Sequence, residues 1–296
     1  MTSRLVAPSA KTGHAYFSDL LDIVLPGNRG VLVVLSAYFD ASQRPDGTFC
    51  VAGYAFAKQQ VKKFDKEWWA LFGEFGGSHM TDLALREKHF KGIDDKQAEH
   101  LIKGAVKIIN RRISFGVAVS CNLGEINSLL PKWIKGFEHA YPVCCHLAMH
   151  LLGGKVAESG HDDDIAYFFE CGDDYSASAH EFMQLAGRVP ELTRSYRLGS
   201  STFIDKTRAL SLQAADILAW EWAKYRDETV NKRKRNMRRS LAALLGPNQA
   251  FDSKRYKVMH ITGSALLRYT QKVANLGLLQ IEEDAAKVKG RSPFGG

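Results

Sequence analysis

The stretch Leu210 to Tyr225, LSLQAADILAWEWAKY, limits what this chain can fold into more than any other. On a 3.6-residue period Leu212, Ala215, Ala219 and Ala223 share one face, Ile217 and Leu218 lie on another, and Trp220 and Trp222 widen the apolar surface, so the helix is expected to be largely buried. Yet Gln213 and Asp216 stand one turn apart on the same side. An ionised carboxylate in such a helix is costly unless it is paired, hydrogen-bonded or holding a cation.

Elements that could cover this helix are readable in order. Val31 to Phe39, VLVVLSAYF, is β-branched and apolar, predicts a buried strand and ends at Asp40. A turn with Pro45 and the Asp46-Gly47 pair leads into Phe49 to Ala57, predicting an antiparallel hairpin. A helix is expected over Gln59 to Phe75, a loop or short edge segment over Ser78 to Leu83, and a helix over Asp94 to Asn110, opening on two carboxylates. Ile113 to Cys121 and Ile165 to Cys171 read as strands, and Ser195 to Ile204 as a final one. Between them lie helices within Trp133 to Val156, best over Ala140 to Leu152, and over Ser176 to Ala186. This alternation predicts an α/β layer structure with a mixed sheet flanked by helices. Residues 1–30 read as a peripheral arm with a short helix around Tyr16 to Val24. Residues 31–230 read as the main domain, and 231–296 as a basic and helical C-terminal extension with a helix over Thr262 to Leu278 and a polar tail.

The 296-residue chain is long enough to build a substantial core. Its formal charge is +8, with the excess concentrated in Lys232 to Arg239, KRKRNMRR. Such a run suits a polyanionic partner or a solvated helix end. Five cysteines, Cys50, Cys121, Cys144, Cys145 and Cys171, form no CxxC pair and no framework spacing, which suits a reducing, cytoplasmic compartment. No segment reads as a signal peptide or membrane span, so no membrane partner is expected. No P-loop, GxGxxG or GxSxG motif is present, which leaves nucleotide hydrolysis of that type, dinucleotide redox and serine-hydrolase chemistry without support.

Three carboxylates stand out by position. Asp40 ends the first strand, Glu170 lies near the end of another, and Asp216 projects from the core helix. Acids that converge in a desolvated place commonly do so around divalent metal, and a pair of Mg²⁺ ions ~4 Å apart can activate water and neutralise the leaving oxygen of a phosphodiester. The logic is that of ribonuclease H-like nucleases. Each acid also has a plainer reading: Asp40 as a turn initiator, Glu170 in a pair with a lysine, Asp216 in an ion pair with Lys206.

AYFDAS at Ala37 to Ser42, HMTDL at His79 to Leu83, and DKTRALSLQAADILAW at Asp205 to Trp220 together resemble the DUF3800 family, whose members are placed among ribonuclease H-like folds. The likeness runs over about residues 31–226, and LQAAD is its most specific piece. Family patterns more often place Asp-Glu-Ser-Gly after the first strand; here Ala41 and Gln43 stand in place of that Glu and Gly. The resemblance implies Asp40 and Asp216 as leading metal ligands, followed by Asp82 and Glu170, with Asp173 and Asp174 as substitutes for Glu170. His79, three residues before Asp82, is then a proton shuttle or outer ligand, or else bonds loop backbone. Lys206 is expected to contact phosphate or to salt-bridge.

Cys144, Cys145, His146 and His150 invite a zinc reading, but core thiols and helix-face histidines explain them better. The expectation is therefore a Mg²⁺- or Mn²⁺-dependent nuclease acting on RNA or DNA. Asp40, Asp82, Glu170, Asp216 and His79 would be catalytic, and Lys206, Lys232, Arg233, Lys234, Arg235, Arg238 and Arg239 would meet the nucleic acid. A non-catalytic nucleic-acid-binding or scaffold module of the same fold is the alternative, and a metal phosphohydrolase of small phosphate esters a third.

Overall fold

The computed structural model describes residues 33–130, 138–172, 176–230, 236–246 and 248–273. The N-terminal arm, the basic residues Lys232, Arg233, Lys234 and Arg235, the pair Asp173 and Asp174, and the C-terminal tail lie outside these residues.

Strands β1 (Val33–Gln43) and β2 (Thr48–Ala57) form the expected antiparallel hairpin, closed by Asp46, whose carboxylate accepts from the Thr48 amide at 2.9 Å. Helix α1 (Lys58–Phe72) follows, then the short α2 (Met80–Leu85) and α3 (Asp95–Arg112). A capping box starts α3, with Asp94 and Gln97 satisfying each other's backbone amides. Strand β3 (Phe115–Asn122) adds antiparallel to β2; α4 (Leu123–Ile126) and α5 (Ala140–Glu158) lead to β4 (Asp164–Glu170), which lies parallel to β1. Helices α6 (Ser176–Ala186) and α7 (Pro190–Tyr196) precede β5 (Leu198–Ile204), parallel to β4. The long α8 (Leu210–Val230), α9 (Arg239–Leu245), β6 (Tyr256–Ile261, parallel to β3) and α10 (Gly263–Val273) complete the described chain. The strand order is β5-β4-β1-β2-β3-β6.

Alternation along the strands divides the core into two layers. Tyr38, Tyr54, Phe56 and Phe168 face α1, α3, α8 and α9; Phe39, Val51, Val119 and Phe169 face α5, α6, α7 and α10. Phe64, Trp68 and Phe72 recur every four residues on α1, Phe64 stacking on Trp68 with centroids 4.9 Å apart and Phe72 tilted against Trp68 at 5.0 Å. Each such ring contributes on the order of 2–3 kcal/mol by leaving water. Because α8 lies across β1 and β2 and is buried nearly all round, its polar side chains cannot escape to solvent.

Several elements depart from the sequence pattern. Strand β1 runs three residues past Asp40, because its hairpin pairing with β2 continues through Gln43. Residues 80–85 form a helix where a loop is expected: Met80 and Leu83 anchor it in the core, and Arg86, at φ 59°, closes it in under two turns, too few for periodicity to register. The strand expected from Ser195 begins at Leu198, since Pro190 opens a helix instead. Strand β6 has no counterpart in the sequence reading. It is short and lies at the sheet edge, where Lys257, Met259 and His260 are only partly covered. Helix α5 continues through Gly153 and Gly154 rather than ending there; a Cβ on Gly153 would lie 2.2 Å from the Ser195 carbonyl oxygen, so the glycine permits α7 to approach.

Candidate active site

The parallel strands β1, β4 and β5 deliver their C-terminal ends to one edge of the sheet, the location where α/β folds place ligands. Asp40 lies one residue past the Phe39–Phe169 pair, and Glu170 one residue past the same pair on β4, so both project from the face that α8 covers. Glu170 pairs with Ile204, and the chain leaving β5 reaches Lys206 two residues later. Asp216 comes from α8 above them. Asp40 and Asp216 are each 4% exposed and Glu170 is 9% exposed.

Lys206 stands at the centre of this group. Its Nζ donates to Asp40 Oδ2 at 3.1 Å. Burial works against its charge, but Asp40, Asp216 and Glu170 together more than offset that and hold it above the usual lysine range. Burial raises Asp40 to a pKa of about 8, helped by the neighbouring charge of Asp216 and opposed by Lys206 and the Ala41 amide. Lys206 thus pairs directly with Asp40 and lies within electrostatic reach of Asp216, whereas the plainer reading expected its ion pair with Asp216.

Each carboxylate is oriented by a backbone amide that no sequence pattern announces. The Ala41 amide donates to Asp40 Oδ1 at 2.7 Å, Met80 to Asp216 Oδ2 at 2.6 Å, and Gly172 to Glu170 Oε2 at 2.6 Å. Gln213, one turn before Asp216, accepts from the Ser78 amide at 2.9 Å and from Trp68 Nε1 at 3.0 Å. Residues 78 and 80 are thus pinned to α8 on both sides of His79. Gly77 makes the turn into this clamp at φ 127°, where a Cβ would sit 2.7 Å from the Gln213 amide nitrogen.

Asp82 belongs to a separate small group on α2. Its Oδ2 lies 3.1 Å from Lys88 Nζ and 3.4 Å from His79 Nδ1. His79, with its side chain 39% exposed, is held beside the clamp and turned toward Asp82. The structure therefore brings Asp40, Glu170, Asp216 and Lys206 together and gives Asp82 a lysine of its own, Lys88. Among the described residues no three His, Cys, Asp or Glu side chains are gathered closely enough to hold a metal ion as they stand. The donor chemistry of the central group, three carboxylates, nevertheless suits a hard divalent cation, with the Lys206 ammonium supplying the compensating charge in this structure.

Of the basic run, Arg238 and Arg239 are described. Arg238 Nε lies 3.1 Å from Glu221 Oε2, and Arg239 opens α9. A cavity of about 650 Å³ between α3 and α9 has Ala98, Ile102 and Val106 on its floor and Arg86, Lys103 and Arg238 around it; none of the four predicted acids lines it. Three of the residues considered for zinc are core residues instead, and His150 is exposed. Cys144 and Cys145 are buried, His146 packs on Phe182 with centroids 3.7 Å apart, and His150 meets Ser195 Oγ at 2.7 Å.

An antiparallel meander of three strands, two further strands added in parallel beside the first, and helices on both faces define an α/β sheet of the ribonuclease H-like kind. Two solved structures of Bst-RNase HIII are similar to the chain at 13% identity. One is a point mutant, with TM-score 0.41 over 79% of this chain and 62% of that one; the other is a complex with Mn²⁺, with TM-score 0.38 over 68% and 56%. The chain spans less than two thirds of the length of either. No protein-family model and no curated protein matches it. No helix among the described residues is long and apolar enough to cross a membrane.

Proposed function

We propose that the chain is a divalent-metal-dependent nuclease of the DUF3800 type, with its centre at Asp40, Asp216 and Glu170. The observation that carries this reading is the convergence of three acids from β1, β4 and α8 on the Lys206 ammonium, each aimed by a backbone amide. Fixed, desolvated charge of this kind is costly to keep and is favoured where charge develops during a reaction. Asp40 and Asp216 would hold Mg²⁺ or Mn²⁺, which when bound supplies an activated water and charge neutralisation at the scissile phosphate. Lys206 positions a phosphate oxygen. Glu170, with Oε2 engaged by Gly172, presents Oε1 to accept a proton from the attacking water. His79, between the clamped residues 78 and 80, would pass a proton to the leaving oxygen, and Asp82, whose Oδ2 lies 3.4 Å from its Nδ1, would orient the ring.

The test is cleavage of RNA and DNA by purified protein in Mg²⁺ and in Mn²⁺. Asp40→Asn and Asp216→Asn are each expected to lower turnover by on the order of 10²–10⁴-fold. Full activity in both variants rejects the assignment. The hydrogen bond from Lys206 to Asp40 favours one rival, a nucleic-acid-binding module in which the lysine permanently replaces the ion. That rival binds without turnover and is indifferent to chelator.

A further inference from the structure

The polar stripe of α8 continues beyond the acids. Gln213, Asp216, Trp220, Lys224 and Asp227 follow one another at spacings of three or four residues and so share one side of the helix. Trp220 is buried, and three cations from three parts of the chain gather over its ring. Lys224 Nζ is 4.7 Å from the ring centroid, Arg238 Cζ 4.9 Å, and Arg44 Cζ, from the β1–β2 turn, 5.8 Å.

Two of these cations are aimed from below. Arg44 Nε faces Asp227 at 3.6 Å, and Arg238 Nε faces Glu221 at 3.1 Å; the acids are 10% and 0% exposed, the arginines 23% and 37%. Each buried acid lies within ion-pair distance of a guanidinium Nε without a hydrogen bond to it. Among the described residues no hydrogen bond is made by the terminal amino groups of either arginine, and these are the donors that suit a phosphate fork. Indole contact restricts the guanidiniums further, so part of the ordering cost of binding is already met.

Resting on the nuclease reading above, we infer that Arg44, Lys224 and Arg238 around Trp220 form a phosphate-binding subsite that seats the backbone of the nucleic-acid substrate beside the acidic centre. Trp220 follows Asp216 by four residues, about 6 Å along the helix axis. A strand advances roughly 3.4 Å per phosphate along a duplex, so the subsite lies about two nucleotides from the acids. Arg44 belongs to the same hairpin as Asp40, which ties the subsite to the acidic centre.

The experiment titrates a fluorescein-labelled oligonucleotide, as single-stranded RNA and as duplex DNA, with the full-length protein in chelator across a salt series. For wild type, log affinity is expected to fall linearly with log salt, and the combined variant Arg44→Gln/Lys224→Gln/Arg238→Gln is expected to reduce that slope by roughly two to three. A reduced slope in a protein that never cleaves keeps the subsite and removes the nuclease reading. An unchanged slope overturns the subsite whether or not the protein cleaves, and then a lowered melting temperature in the variant marks the cluster as a clamp between hairpin and helix. Absence of wild-type binding at low salt overturns it too. If circular dichroism shows the triple variant unfolded, Lys224→Gln alone is read for a slope decrease of about one.

Discussion

Helices α5 and α8 cover opposite faces of one sheet and are both buried on nearly every side, yet they differ in what they bury. Helix α5 hides Cys144, Cys145 and His146, with the Cys121 thiol and burial favouring the neutral form of Cys144 and burial that of His146, and keeps its one buried cation, Lys155, at its last turn against Glu158 and Asp252. Helix α8 hides Gln213, Asp216 and Glu221, each meeting a partner from a distant part of the chain. Burial alone thus separates nothing. The distinction is between a helix that fills volume and one that holds charge in place against its cost, and only the second implies chemistry.

This contrast breaks most visibly at Lys206. Replacing it by Met leaves Asp40 and Asp216 without their shared cation, and chemical denaturation is expected to show a loss on the order of 3 kcal/mol, toward the lower end of the range for broken buried pairs because Lys206 is about a quarter exposed. Adding Asp40→Asn should restore much of that loss, a coupling that a double-mutant cycle measures. Simple additivity would show that the two side chains do not act together.

Gln213→Leu is next, at about 2–3 kcal/mol. It keeps the volume but orphans the Trp68 indole N–H and the Ser78 amide. Hydrogen exchange at Ser78 and Met80 should accelerate more than at residues of β2. Protection that survives would mean the clamp is held by something other than α8.

The matching test on α5 is one of volume. Gly153→Ala gains about 1 kcal/mol of helix propensity, but its new methyl meets the Ser195 carbonyl oxygen at 2.2 Å, and the clash wins by about 1–3 kcal/mol. A variant as stable as wild type would show that α7 yields freely.

The smallest effect is a pH dependence. Burial lowers the pKa of His146 from 6.5 to about 3, so the unfolded chain takes up the proton first as pH falls. The stability that neutral His146 contributes is present above pH 6.5 and drains away as pH descends toward 3, by about 1 kcal/mol between pH 6.5 and 5.5. Urea midpoints of wild type and His146→Leu should diverge in the opposite sense, the variant falling less steeply through that interval. Parallel curves would mean that the ring reaches water.

Much of this was legible in advance, and for identifiable reasons. The LQAAD helix, the hairpin and the alternation of strands and helices follow from periodicity and turn chemistry, which are local. The acids Asp40, Glu170 and Asp216 stood out because each interrupts an apolar run. What stayed hidden is non-local. The amides of Ala41, Met80 and Gly172 have no side-chain signature, and nothing in HMTDL says that its backbone binds a helix more than a hundred residues away. Arg44 and Lys224 belong to no motif, though Lys224 shares the stripe of Asp216 and its spacing is readable in the sequence. Asp82 was grouped with the other acids through a resemblance, and the structure shows it with Lys88 and His79.

The contacts that finish the acidic group span 136 residues between Met80 and Asp216 and 166 between Asp40 and Lys206. During synthesis the hairpin and its first strand can leave the ribosome with Asp40 still facing nothing, and the group acquires its lysine and second aspartate only when the last third of the chain emerges. Closing loops of that length is a slow step. A truncated or stalled product ending before Lys206 would therefore carry five of the six described strands and neither the lysine nor Asp216, so the charged group is assembled only as the last third of the chain is made.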